Sequence, residues 1–141
     1  MKLTVQEFTF ATIAGTIGGF IANLFGGWSA DLITLIICMI VDYIMGIIIA
    51  GVLHKSQKSQ NGALSSSVGW VGLCRKGVIL LIVLIAHRLD ITLGVDYIKT
   101  AVIIGFITNE IISILENAGI MGVPLPDAIY KAIDMLKGKD K

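Results

Sequence analysis

Charge is what this 141-residue sequence has least of. Only 15% of its residues are charged, where a soluble globular chain carries about 25%. The charges present nearly cancel, at a net of +1, so no basic surface points to a nucleic acid partner. Cysteine is scarce too. Cys38 and Cys74 lie in or beside apolar runs, with neither zinc-ligand nor disulfide-framework spacing, and read as small buried apolar residues. The two histidines, His54 and His87, are far apart with no Cys or Glu constellation around them, which suits interfacial residues better than metal ligands. No glycine-rich phosphate loop is present. Ser65-Ser66-Ser67 has no partner base, so it offers no activated nucleophile. The sequence therefore nominates no catalytic, cofactor-binding or metal residues and requires no cofactor, which argues against an enzyme.

What fills the chain is apolar length. Hydrophobic residues make up 55% of it, and the mean hydropathy is +0.87. Four runs stand out, at 8–26, 32–53, 68–88 and 98–117. Each is about 19 to 22 residues, the length an α-helix needs to cross roughly 30 Å of hydrocarbon. Backbone polar groups must be satisfied internally there, so helices are required. The run Leu32-Ile33-Thr34-Leu35-Ile36-Ile37-Cys38-Met39-Ile40-Val41 lacks the alternation of a barrel strand. The expected fold is an all-α integral membrane protein, a single domain over 1–141, with about four transmembrane helices and short loops. Lys2 before the first run and Trp28-Ser29-Ala30 after it suggest a signal peptide, but Trp28 fits a small-residue cleavage rule badly. The first run is therefore read as a retained span.

Lysine and arginine set the orientation. With four spans and the N-terminus inside, Lys2, Lys55, Lys58, Lys131, Lys137, Lys139 and Lys141 are cytoplasmic, and Arg75 and Lys76 lie nearest that side. Only Arg88 and Lys99 fall outside, nine cations against two. A multi-pass protein with both termini cytoplasmic is expected. Trp28 and Tyr97 then mark one interface and Trp70 the other, as an aromatic belt does. In the tail, 124–141, Pro126 and Asp127 suit a first helical turn. Ile129, Ile133 and Leu136 share one face, and Asp127 and Lys131 are an i,i+4 pair. This is a short amphipathic C-terminal helix, lying on the membrane, docking a partner, or simply solvated.

Ionisable residues inside the runs carry the chemistry. They are Asp42, Arg75, Lys76 and Glu110 (beside Asn109), with Glu116 near the fourth run's end. Each costs about 2.5 to 3.5 kcal/mol at a helix centre, so such residues face partners or water. At about 1.5 Å per residue, Arg75 and Glu110 both lie roughly 10 Å from the inner ends of their runs, and Asp42 roughly 16 Å. Arg75 or Lys76 is expected to pair with Glu110 or Asp42, within one chain or between chains. The pair either only neutralises charge or helps line an aqueous lesion. A second feature is small residues at helical spacing. Ala11, Gly15, Gly19 and Asn23 form one row, Ala14, Gly18, Ala22 and Gly26 a neighbouring one, and Gly46 and Ala50 repeat the pattern. Small residues let helix backbones approach closely in lipid, so these rows are expected to pack helices, either within the chain or between subunits.

Three stretches resemble a known family. Asp42-Tyr43-Ile44-Met45-Gly46-Ile47-Ile48-Ile49-Ala50 resembles the Asp-x-x-x-Gly span of phage lysis and toxin-secretion holins. Ser67-Val68-Gly69-Trp70-Val71-Gly72-Leu73-Cys74-Arg75-Lys76 resembles that family's entry to the next span. Asn109-Glu110-Ile111-Ile112-Ser113-Ile114-Leu115-Glu116-Asn117, followed by Met121-Gly122-Val123-Pro124-Leu125-Pro126, resembles its most specific block. The likeness runs from about Leu35 to Leu136. It implies a small protein of a Gram-positive phage or prophage. Such a protein would assemble with itself in the bacterial cytoplasmic membrane and open a lesion that releases a cell-wall hydrolase or a toxin. Neither cargo need bind it. The residues themselves also allow a small ion channel or transporter subunit using Asp42 and Glu110, or an antiholin that assembles without opening.

Overall fold

The computed structural model describes residues 4–138, and Lys2 and the last lysines lie outside them. Five helices follow in order: α1 (Val5–Leu24), α2 (Ala30–Gly51), α3 (Ser66–Leu93), α4 (Ile98–Ile120) and α5 (Asp127–Leu136). No strand occurs among the described residues.

Helix α4 is the centre of the bundle. It packs most extensively on α2 and next on α3, while α2 and α3 meet only sparingly. Leu32, Leu35 and Met39 of α2, Ile79 and Val83 of α3, and Ile103 of α4 make the buried core. Much of the surface around that seam is apolar and uncovered: Ile37, Ile40, Ile44, Leu81, Ile85 and Ile104 are all exposed. In water such a surface would aggregate, whereas in lipid it is the solvated face. The threonines fit the same medium. Thr34, Thr92 and Thr108 each bond the carbonyl four residues back, on Ala30, Arg88 and Ile104, so these three hydroxyls are paired without water.

Three helices, α2, α3 and α4, are long and apolar enough to cross a membrane. The expected fourth span, 8–26, is a helix as well, but it is not among those three. Its apolar side chains are diluted by Gln6, Glu7, Thr9, Thr12, Thr16 and Asn23. Moreover, α1 buries no residue at all. The glycine row expected to pack helices meets nothing within this chain: a methyl group added at Gly15, Gly18 or Gly19 would find open space. Gly46 is equally open, whereas Ala50 is buried.

Helix α1 is held chiefly at its C-terminal end. The Lys99 ammonium donates to the Phe25 carbonyl at 2.5 Å, satisfying one of the carbonyls that a helix end leaves free. Gly26 (φ +75°) turns the chain toward α2, and a Cβ there would collide with the His87 imidazole. Gly26→Ala is expected to destabilise the protein by about 1 to 3 kcal/mol through left-handed strain and that clash. Thermal unfolding in detergent checks this. A second change, His87→Ala, should recover the steric part and leave the backbone part; a Gly26→Ala chain that melts like the wild type would refute the account.

Helix α3 runs further than the apolar run 68–88. Its 28 residues span about 42 Å, more than the roughly 30 Å of a hydrocarbon layer. Gly94 in the left-handed conformation ends it. Asp90, near that end, accepts hydrogen bonds from the backbone N–H of Ile98 (2.9 Å) and of Lys99 (3.0 Å). A carboxylate of one helix thus caps the start of the next across a short connection.

Candidate functional site: a buried ion cluster

The charged residues of α2, α3 and α4 converge at one level. At about 1.5 Å per residue, Asp42 lies roughly 14 Å from the Gly51 end of α2, Lys76 roughly 15 Å from the Ser66 start of α3, and Glu110 roughly 15 Å from the Ile120 end of α4. All three of those ends lie on the side of the α2–α3 loop, so the three residues can meet.

They do meet, on Lys76. Its ammonium donates to Asp42 Oδ2 at 2.8 Å and to Glu110 Oε2 at 2.6 Å. Asp42 also accepts on Oδ1 from the Ser113 hydroxyl at 2.6 Å and from the Asn117 amide at 3.0 Å. Asp42 is 7% exposed and Glu110 4%. Glu110, Ser113 and Asn117 are spaced i, i+3 and i+7, one stripe of α4. The cluster therefore ties all three long helices together, with one cation between two carboxylates. When all three groups are ionised it carries a net charge of −1.

The other nominated residues stand elsewhere. Arg75, expected as an alternative to Lys76, is exposed, and among the described residues it has no ion-pair partner. One residue along an α-helix turns the side chain by about 100°, so only one of the neighbours Arg75 and Lys76 can face the bundle. For the same reason Asn109 is exposed where Glu110 is buried. Glu116 lies a turn and a half beyond Glu110, half exposed, and pairs with Lys137 at the end of α5. Ser113, Asn117, Asp90 and the largely buried Lys99 are polar contributors that the sequence reading did not nominate. Spacing from Glu110 was a usable signal for the first two. Asp90 had none, because its partners are backbone amides.

Between the cluster and the loop lies a cavity of about 170 Å³. Ser113, Asn117, Tyr43, Ser65 and Gly69 are among its lining residues, and the Tyr43 hydroxyl donates to the Gly69 carbonyl at 3.2 Å. Ser113 and Asn117 thus stand between this largely apolar space and Asp42. Among the described residues no three His, Cys, Asp or Glu side chains come together as metal ligands. Chemically, the arrangement is an electrostatic clasp. Its charges are stable in the bundle only together, and separating the helices would expose them to lipid or require water.

Several known proteins are similar in sequence to most of the chain. An uncharacterised protein of Halalkalibacterium halodurans is 36% identical over 133 residues, covering 90% of this chain and 93% of its own length. An uncharacterised Listeria monocytogenes protein is 38% identical over 130 residues, 88% of this chain and 86% of that one. A probable holin of Bacillus phage phi105 is 29% identical over 104 residues, 73% of this chain and 71% of the phage protein. No solved structure matches the chain. The sequence pattern of the bacteriophage holin family matches residues 19–138, from the last turn of α1 through α5. With most of its length accounted for in this way, the chain belongs to the bacteriophage holin family.

Proposed function

We propose that this protein permeabilises the bacterial cytoplasmic membrane as a holin, opening it to a cell-wall hydrolase or a toxin after assembling with copies of itself. The family is a membrane-permeabilising, non-enzymatic one. The observation that carries the reading is the Asp42–Lys76–Glu110 clasp inside an otherwise apolar bundle. Closed, it holds three helices together; opened, its charges would line water. In this reading the chain is one membrane domain, α1 crosses the membrane as a fourth span, both termini are cytoplasmic, and α5 is a cytoplasmic tail. The bias of cations toward the loop and tail supports that orientation.

Induced expression in a bacterium tests the function. A holin gives abrupt depolarisation and growth arrest, with lysis when a hydrolase is present. Cells that stay polarised and viable would sink the proposal. The net negative cluster also favours a second reading, a small ion channel with Asp42 and Glu110 as its sites. That reading requires a graded, ion-selective current instead.

Self-assembly has its own test. The glycine row of α1 meets nothing in its own chain, so it is free to pack against another copy. Gly15→Leu is expected to reduce crosslinked oligomers severalfold while leaving the clasp intact. Unchanged crosslinking would remove α1 from the assembly interface.

A further inference from the structure

We propose that Arg75, Lys58 and Ser67 form a binding site for the phosphate headgroup of an anionic phospholipid, on a face of α3 turned about 100° from the ion clasp. Lys76 and Arg75 are adjacent, yet their circumstances differ. The Lys76 ammonium is held by two carboxylates. Arg75 is exposed on an apolar helix about 13 Å from its start at Ser66, and neither it nor Lys58 has an acidic partner among the described residues. A guanidinium facing hydrocarbon at that depth must reach polar groups by extending along the helix.

The direction it extends is fixed. Helical side chains lean toward the N-terminus of their helix, which for α3 is the loop end. On that side a cavity of about 260 Å³ is lined by Arg75, Gly72, Val71, Val68 and Ser67 of α3 and by Lys58 of the loop. Gly72, three residues before Arg75, adds no side chain to the space. The lining thus has two cations, a hydroxyl donor and no acid. An arginine fork binds phosphate oxygens in pairs, and a lysine adds a point charge.

A lipid fits better than a free anion because of what continues in the other direction. Val78, Ile82 and Ile85, at i+3, i+7 and i+10 from Arg75, form an exposed apolar stripe. Cations at one end and an uncovered hydrocarbon track at the other match a headgroup and its acyl chain. The inference depends on the chain being membrane-embedded, and not on its opening a lesion; a chain that fails to lyse cells but binds the lipid leaves it standing.

Native mass spectrometry of the purified full chain in detergent, titrated with phosphatidylglycerol or phosphatidylcholine, tests the site. Phosphatidylglycerol should be retained in preference. Arg75→Gln and Lys58→Gln should each weaken it about fivefold, the effect of one cation near a lipid surface. Arg75→Lys, keeping the charge without the fork, should fall between, and Arg88→Gln at the other end should match wild type. Equal retention of the two lipids, an Arg75→Gln chain that binds like wild type, or an equal loss from Arg88→Gln would overturn the proposal. So would displacement of the lipid by inorganic phosphate, which would make this a site for anions from solution.

Discussion

Replacing Lys76 with leucine is expected to destabilise the bundle by about 3 to 5 kcal/mol, the cost of leaving buried charge unpaired. The sign follows from the composition of the clasp. Lys76 is the single cation between Asp42 and Glu110, which are 7% and 4% exposed. Without it, two carboxylates face each other with only Ser113 and Asn117 as donors to Asp42. Glu110→Gln should behave differently. It removes one of the two negative charges and leaves Asp42 and Lys76 as a balanced pair, so its cost should be well under half that of Lys76→Leu. The triple change Asp42→Asn, Lys76→Leu, Glu110→Gln, which removes every charge, should recover much of the loss. Reversible unfolding of the purified chain in mild detergent, and accumulation in membranes, would report the order. A Lys76→Leu chain as stable as wild type, or a Glu110→Gln chain that suffers more, would show that the cluster does not hold the helices.

The same cluster shows what could be foreseen from residues alone. Helix level was legible, because depth along a helix is arithmetic. The second apolar run, 32–53, corresponds to α2 at Ala30–Gly51, because no charge but that of Asp42 interrupts it. Rotation about the helix axis was not legible. Arg75 and Lys76 have nearly the same depth and the same charge, and only packing against α4 selects the one that faces inward. Helix ends were blurred for a related reason. Arg88 and Asp90 look like loop residues, yet α3 continues to Leu93, since charges near a membrane surface do not stop a helix and Gly94 does. The row of small residues in α1 was visible, but its partner was not. Close-packing residues signal that a neighbour is wanted, and not which chain supplies it.

Asp90→Ala is the second change with a large expected effect, about 2 to 4 kcal/mol. Asp90 is 6% exposed, and each of its carboxylate oxygens accepts a backbone N–H at the start of α4. Hydrogen bonds to a charged group are worth about 1.5 to 3 kcal/mol each, and loss of a cap alone costs about 0.5 to 2 kcal/mol. Because the Ile98 bond is part-buried and the Lys99 bond buried, water cannot fully replace the carboxylate. Asp90→Asn should cost less than alanine, since its one carbonyl oxygen keeps one of the two bonds. Helix α4 is the element on which both α2 and α3 pack, so loosening its first turn should also disturb Lys99, whose ammonium holds the end of α1 through the Phe25 carbonyl. Amide hydrogen exchange localises the effect. Protection at Ile98 and Lys99 should fall first, followed by the last turn of α1, while the clasp around Lys76 keeps its protection. Loss spread evenly over α4, or none at Ile98, would mean that the capping carboxylate does not set where this helix begins.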